Sequence, residues 1–214
     1  MKPFRHVLLL GNGETLPNRF LQQLAQRADC IIATDAAADR ALSAAIEPDI
    51  IIGDLDSVSA AAKRRLVRAQ WIQIPRQDNT DLEKALDWLL SQACTHCTLC
   101  GFFGGRIDFT FGNFLSLAPY VNKIQLAVCG PGWHLRPVTR RLSIPCSPAK
   151  RVSLLPVTTC RKVRSCGLKY PLNNETVSPK YPGRYISNQT TAKRFTVTLE
   201  NGLLWVYWED ERRF

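Results

Sequence analysis

The residues whose types and spacing carry most chemistry are Asp54 and Asp56, one residue apart, directly after an unbroken apolar run at 50–52 and Gly53. In extended backbone alternate side chains point the same way, so both carboxylates can face one ligand or one hard cation. Their mutual repulsion calls for a counter-charge, and Mg²⁺ is the usual one for oxygen donors of this kind. The pattern of apolar stretch followed by carboxylate recurs at Asp35, at Asp78 with Asp81, and at Asp108. Asp108 follows Gly104, Gly105 and Arg106, whose glycines let the chain bend and whose arginine offers a planar fork for phosphate oxygens. Each feature also has a plain structural reading. Arg106 and Asp108 could neutralise each other, Asp78 and Asp81 could complement a helix dipole, and Thr80 with Glu83 spells a capping box. Recurrence along one edge is harder to set aside than any single site.

That edge needs a sheet. The β-branched run at 50–52 reads as a buried parallel strand, and open α/β sheets bind ligands outside the carboxyl ends of such strands. Further strands at 6–10, 30–33, 71–74, 97–102 and 124–128 alternate with helical stretches at 20–27, 36–45, 59–68, 80–93 and 109–117. The alternation predicts a mostly parallel sheet with flanking helices over residues 1–132. The first strand ends in Gly11-Asn12-Gly13-Glu14, which lacks the Gly-Lys-Ser/Thr of a P-loop and is a weak phosphate signal. Beyond Trp133 helical periodicity stops. Short strands at 134–146, 151–158, 185–186 and 195–208 predict a smaller all-β sandwich over 133–214, with Glu200-Asn201-Gly202 as a hairpin turn.

The formal charge of +10 sits wholly in that second part, where 15 Lys and Arg face 5 Asp and Glu. These cations are scattered among strands, which fits a solvated surface better than a nucleic-acid stripe, so no nucleic-acid partner is expected. No apolar stretch has the length of a membrane span or a signal-peptide core, so a cytoplasmic protein with no membrane partner is expected. Eight cysteines in such a chain read as thiols. Cys94, Cys97 and Cys100, with His96 among them, have metal-ligand spacing, but the run joins a helix end to a strand without an obvious fourth ligand.

Taken in order, three motifs make the chain recognisable: Gly53-Asp54-Leu55-Asp56-Ser57, Gln77-Asp78-Asn79-Thr80-Asp81, and Gly104-Gly105-Arg106-Ile107-Asp108. Downstream stand 152–156, 167–172, Ser187-Asn188 and Gly202-Leu203-Leu204-Trp205. With these the chain resembles the thiamin pyrophosphokinase family along nearly its whole length. The resemblance implies transfer of a diphosphoryl group from ATP to the thiamin hydroxyl, with Mg²⁺, in a homodimer whose site is shared between subunits. On this resemblance Asp54, Asp56 and Asp78 are the first metal candidates, with Asp35, Asp81 and Asp108 next; Asp81 and Asp108 complete the catalytic set, and either could instead orient the attacking hydroxyl. Asp35, Ser57, Thr80, Gly104, Gly105 and Arg106 would then serve ATP. Ser187 and Asn188 would bind thiamin, joined by Trp205, although a tryptophan in a hairpin is more often core. Ala36-Ala37-Ala38 and Phe109 depart from the family's usual glycines and polar residue. Alternatives are a diphosphokinase for another alcohol, such as a hydroxymethylpterin, and a non-catalytic thiamin- or nucleotide-binding protein.

Overall fold

A computed structural model describes residues 4–76 and 78–210; Gln77 of the second motif lies outside them. The chain divides into two compact units, the first running to Pro131 and the second beginning at Gly132.

In the first unit, strands β1 (His6–Leu10), β2 (Cys30–Thr34), β3 (Ile50–Gly53), β4 (Gln70–Gln73), β5 (His96–Cys100) and β6 (Gln125–Gly130) lie in the order β6-β5-β1-β2-β3-β4. Every pairing is parallel. Helices α1 (Asn18–Ala25), α2 (Ala37–Ser43), α3 (Ala60–Arg65), α4 (Asp81–Ser91) and α5 (Ile107–Ser116) supply the crossovers. Residues 7–10 and 50–53 are buried throughout, as expected of strands covered on both faces. The strand order reverses at β1, whose neighbours are β2 and β5, and such a switch point leaves a crevice at the carboxyl ends.

Local chemistry explains where the helices begin. The Ser59 side chain accepts from the Ala62 N–H and caps α3. Thr80 and Glu83 form a reciprocal capping box on α4, with the Thr80 N–H donating to Glu83 Oε2 at 2.8 Å. The loops after β1 and β5 lie backbone to backbone. Gly11 N donates to Cys100 O at 2.8 Å, and Gly105 has φ +67° with only 2.5 Å between the position of a Cβ and Gly13 O. Glycine is required there by the approach of the other loop as well as by the turn.

The second unit is a sandwich. Its strands are β7 (Trp133–Val138), β8 (Arg141–Pro145), β9 (Arg151–Pro156), β10 (Cys160–Cys166), β11 (Asn173–Val177), β12 (Asn188–Gln189), β13 (Arg194–Thr198) and β14 (Leu204–Glu209). One sheet contains β12-β9-β14-β7 and the other β11-β10-β13-β8. Val152, Leu154, Val163, Phe195, Val197, Val206 and Trp208 share the core between them.

Three expectations are corrected here. The stretch 134–146 is two strands rather than one. Residues 185–186 form no strand, because a 3-10 turn at Pro182–Tyr185 takes that place. The Glu200-Asn201-Gly202 turn does not close a hairpin: β13 pairs with β8 and β10, whereas β14 pairs with β7 and β9. Both strands bury large apolar side chains in one core, and the chain crosses between sheets to let them do so. Asn201 bridges to Arg161, and Gly202, with φ +112°, packs where a Cβ would stand 2.8 Å from Cys160 Cα and from Thr159 O. A Gly202→Ala variant is therefore expected to lose about 2 kcal/mol or more in urea unfolding, since left-handed strain adds to a backbone clash.

Candidate active site

The carboxyl edge of the first unit collects the acidic residues. Carboxylate oxygens of Asp35, Asp54 and Asp56 lie within 4.8 Å of one another, the one group of potential metal ligands of this kind among the described residues. Asp35 follows β2 in left-handed backbone, φ +38°, a cost seldom borne by a residue other than glycine. It is 8% exposed, and its Oδ1 is buried with no hydrogen-bond partner. Burial, opposed by a hydrogen bond with Ser57 and reinforced by Asp81, Asp54 and Asp56, pushes its carboxyl above the ordinary range. An orphaned oxygen in an all-carboxylate set is what a hard cation would satisfy, so these residues fit Mg²⁺.

The loop after β3 is held in shape from several sides. Leu55 has φ +66°, Lys63 Nζ donates to Leu55 O, Gln73 Nε2 donates to Asp54 O, and Ser57 Oγ donates to Asp56 Oδ1 at 2.9 Å. Beside the trio lies a cleft of about 390 Å³. Its walls include Asn12 and Gly13 after β1, Asp35 and Ala36 after β2, Ser57, Thr80 and Asp81, and Gly104, Arg106 and Phe109. Thr80 thus caps a helix and faces the cleft at once.

Of the expected set Asp54, Asp56 and Asp78, the structure brings the first two together and leaves Asp78 apart from them. Asp78 precedes the Thr80 cap, its side chain is 73% exposed, and it pairs with Arg76 at 3.5 Å. Asp35 stands with Asp54 and Asp56 instead. Arg106 and Asp108 do neutralise each other, through Nε to Oδ1 at 3.1 Å and Nη2 to Oδ2 at 2.5 Å. The Arg106 hydrogen bond holds the Asp108 carboxyl below its usual range. Arg106 also lies over the Phe109 ring, 4.4 Å from its centroid, so the departure at Phe109 provides a platform for the guanidinium. Gly104 lines the cleft, while Gly105 serves the loop contact described above.

One residue was not singled out by sequence. Lys84 is 3% exposed, its Nζ 3.0 Å from Asp81 Oδ1 and 3.7 Å from Asp54 Oδ2. It falls outside the apolar stripe of Leu82, Ala85, Leu86 and Leu89, so periodicity places it in solvent. The only available signal was its spacing of three residues from Asp81.

In the second unit, Ser187 and Asn188 line a pocket of about 250 Å³ with Tyr170, Leu172, Arg184 and Tyr185. Ser187 has φ +61°, and its N–H donates to Ser153 Oγ. Asn188 bridges back to Tyr170, accepting from its N–H and donating to its carbonyl at 2.7 Å. Trp205 packs inside the second unit. At 0% exposure its ring has no open face for a ligand in this chain. The eight cysteines are free thiols, and burial raises those of Cys94 and Cys97, which does not favour a thiolate metal site.

A family model described as thiamin pyrophosphokinase, catalytic domain, matches residues 21–128, and one described as thiamin pyrophosphokinase, vitamin B1 binding domain, matches residues 140–204. The chain is similar to the thiamine pyrophosphokinase of Bacillus subtilis, with 29% identity over 180 residues that cover 81% of this chain and 84% of that one. It is also similar to a thiamin pyrophosphokinase of Caenorhabditis elegans, 27% identical over 94% of this chain and 90% of the relative. Among solved structures, the Bacillus subtilis enzyme superposes with a TM-score of 0.81 at 24% identity, covering 96% of this chain and 99% of the other. Thiamin pyrophosphokinase from Candida albicans gives 0.83 at 18%, over 97% and 90%. These two likenesses show the same fold.

The raised Asp35 carboxyl has a consequence for stability. Its ionised form is penalised in the folded state, so the penalty is absent below the unfolded value near 3.8, grows as pH rises through it, and is complete above the folded value. Asp35→Asn is expected to raise the melting temperature of the metal-free protein at pH 7, and by clearly less at pH 4. Melting curves in EDTA at the two pH values check this.

Proposed function

Because the chain belongs to the thiamin pyrophosphokinase family, we propose that it transfers the diphosphoryl group of ATP to the hydroxyethyl oxygen of thiamin, giving thiamin diphosphate and AMP. The observation that carries this reading at the level of chemistry is the convergence of Asp35, Asp54 and Asp56 beside a cleft that Arg106 also lines. In the reaction the thiamin oxygen forms a bond to the β-phosphorus, the bond from that phosphorus to the α-bridging oxygen breaks, and AMP departs with the bond electrons. Charge accumulates on oxygens that already carry it, so positioning and electrostatic stabilisation are the main work of the site.

Mg²⁺, held by Asp35, Asp54 and Asp56, would supply neutralisation of phosphate charge when bound. Arg106 keeps donors beyond the two engaged by Asp108, and Asp108 orients the guanidinium for phosphate oxygens. Of the two carboxylates considered for the attacking hydroxyl, Asp81 is among the residues lining the cleft and Asp108 is not, so Asp81 is assigned to orient the hydroxyl and accept its proton. Ser187 and Asn188, beside aromatic Tyr170 and Tyr185, are assigned to thiamin. A pterin substrate is less well supported, because the second unit matches a vitamin B1 binding model. No described helix is long and apolar enough to cross a membrane, and a cytoplasmic setting is part of this reading.

The proposed assembly is a homodimer with the site shared between subunits. Helix α5 supports it, since Ile107, Phe111 and Leu115 form an exposed stripe at spacing i, i+4, i+8, with Ile107 81% exposed. A stripe of this kind on a helix beside the cleft is more apolar than solvent favours. Phe111→Asp combined with Leu115→Asp is expected to halve the mass seen in sedimentation; an unchanged mass would place the interface elsewhere.

The reaction is tested by incubating the protein with ATP, Mg²⁺ and thiamin and resolving the products. AMP and thiamin diphosphate, formed only with thiamin present, are expected, and ADP would overturn the reading. Asp54→Asn and Asp56→Asn should each lower turnover by about 10²–10³-fold or more while leaving the protein folded by circular dichroism.

A further inference from the structure

Lysine is seldom fully buried without a partner, and Lys84 is buried in contact with two aspartates rather than one. Asp54 belongs to the trio suited to a cation, and Asp81 faces the cleft. A Cβ on Gly53 would stand 3.2 Å from Asp35 Cβ and 3.4 Å from Asp81 Oδ1, so the side chains of Asp35 and Asp81 close around the end of β3. Four carboxylates therefore share this edge. Lys84 is not among the residues lining the cleft, so it touches the acidic cluster from the protein side and leaves the cleft side to a ligand.

We propose that Lys84 is the resident counter-cation of this cluster, a positioning residue that holds Asp54 and Asp81 in place before a divalent cation arrives and sets how tightly that cation binds. The inference rests on the cation reading proposed above. A fixed ammonium touching two of the aspartates neutralises part of the repulsion that would otherwise splay them. The same positive charge opposes an incoming Mg²⁺ and keeps its affinity moderate. An ion pair remote from the cation site would do the first without the second.

The test uses the full chain and Mn²⁺ as the probe, with free Mn²⁺ followed by electron paramagnetic resonance in wild type, Lys84→Met and Lys84→Gln. Both variants remove the charge, and glutamine keeps a hydrogen-bond donor should the methionine variant fail to fold. Mn²⁺ is expected to bind the variants about tenfold tighter or more, because a unit charge a few ångströms away in partly buried surroundings is weakly screened. In EDTA the variants should melt below wild type, and saturating Mg²⁺ should raise their melting temperature more than it raises that of wild type. Unchanged or weaker Mn²⁺ affinity in folded variants would overturn the inference, leaving a structural ion pair and the cation reading intact. Absence of Mn²⁺ binding by wild type would overturn the cation reading itself and this inference with it.

Discussion

Like charges crowded at the end of a parallel sheet are the constraint on which the rest of the first unit depends. Asp35, Asp54 and Asp56 stand within 4.8 Å of one another, and Asp81 adds a fourth carboxylate. In water such groups would separate. Here β2 and β3 pair in parallel register, with Thr34 opposite Ile52, and so deliver their carboxyl-terminal loops to the same place. Backbone strain at Asp35 and Leu55 then fixes the direction of the side chains. The buried apolar runs of β1, β2 and β3 supply the stability against which that strain and repulsion are set.

The neighbouring features follow from the same constraint. Lys84 approaches the cluster from α4, which the Thr80–Glu83 capping box starts at the point that places Asp81 in the cleft wall. On the far side, the loops after β1 and β5 interlock through Gly13, Gly101 and Gly105, where side chains would collide with backbone, and through Gly11, where one would collide with the Phe102 ring. That interlock presents Gly104 and Arg106 to the cleft. Anionic groups thus stand at one wall and a cationic fork at another, the division that the proposed binding of a polyphosphate carrying its own metal calls for.

Much of this was legible in the chain because apolar runs and turn residues act locally. Strands β1, β2 and β3 announce themselves as β-branched or aliphatic runs, and the Asp-x-Asp follows β3 directly. What was not legible depends on distant partners. Asp78 and Asp35 each look like a strand-end carboxylate, and only the path of the loop before Thr80 turns Asp78 toward Arg76. Lys84 lies off the apolar stripe and is buried because acidic residues from β3 and its own helix meet it. Strand β10 carries Arg161, Lys162 and Arg164 in solvent and has a register shift between Cys160 and Val163, which hides its alternation. The hairpin signal at Asn201-Gly202 reports a tight turn correctly; which sheet each flanking strand joins is decided by the core they share.

The central claim is that the trio of Asp35, Asp54 and Asp56 holds the reaction's metal. The most direct measurement is an anomalous difference map from crystals grown with Mn²⁺ and a non-hydrolysable ATP analogue. The account predicts a peak bounded by those three carboxylates, with the analogue's phosphates reaching toward Arg106. A peak at Asp78 or Asp108, with none at the trio, would contradict it.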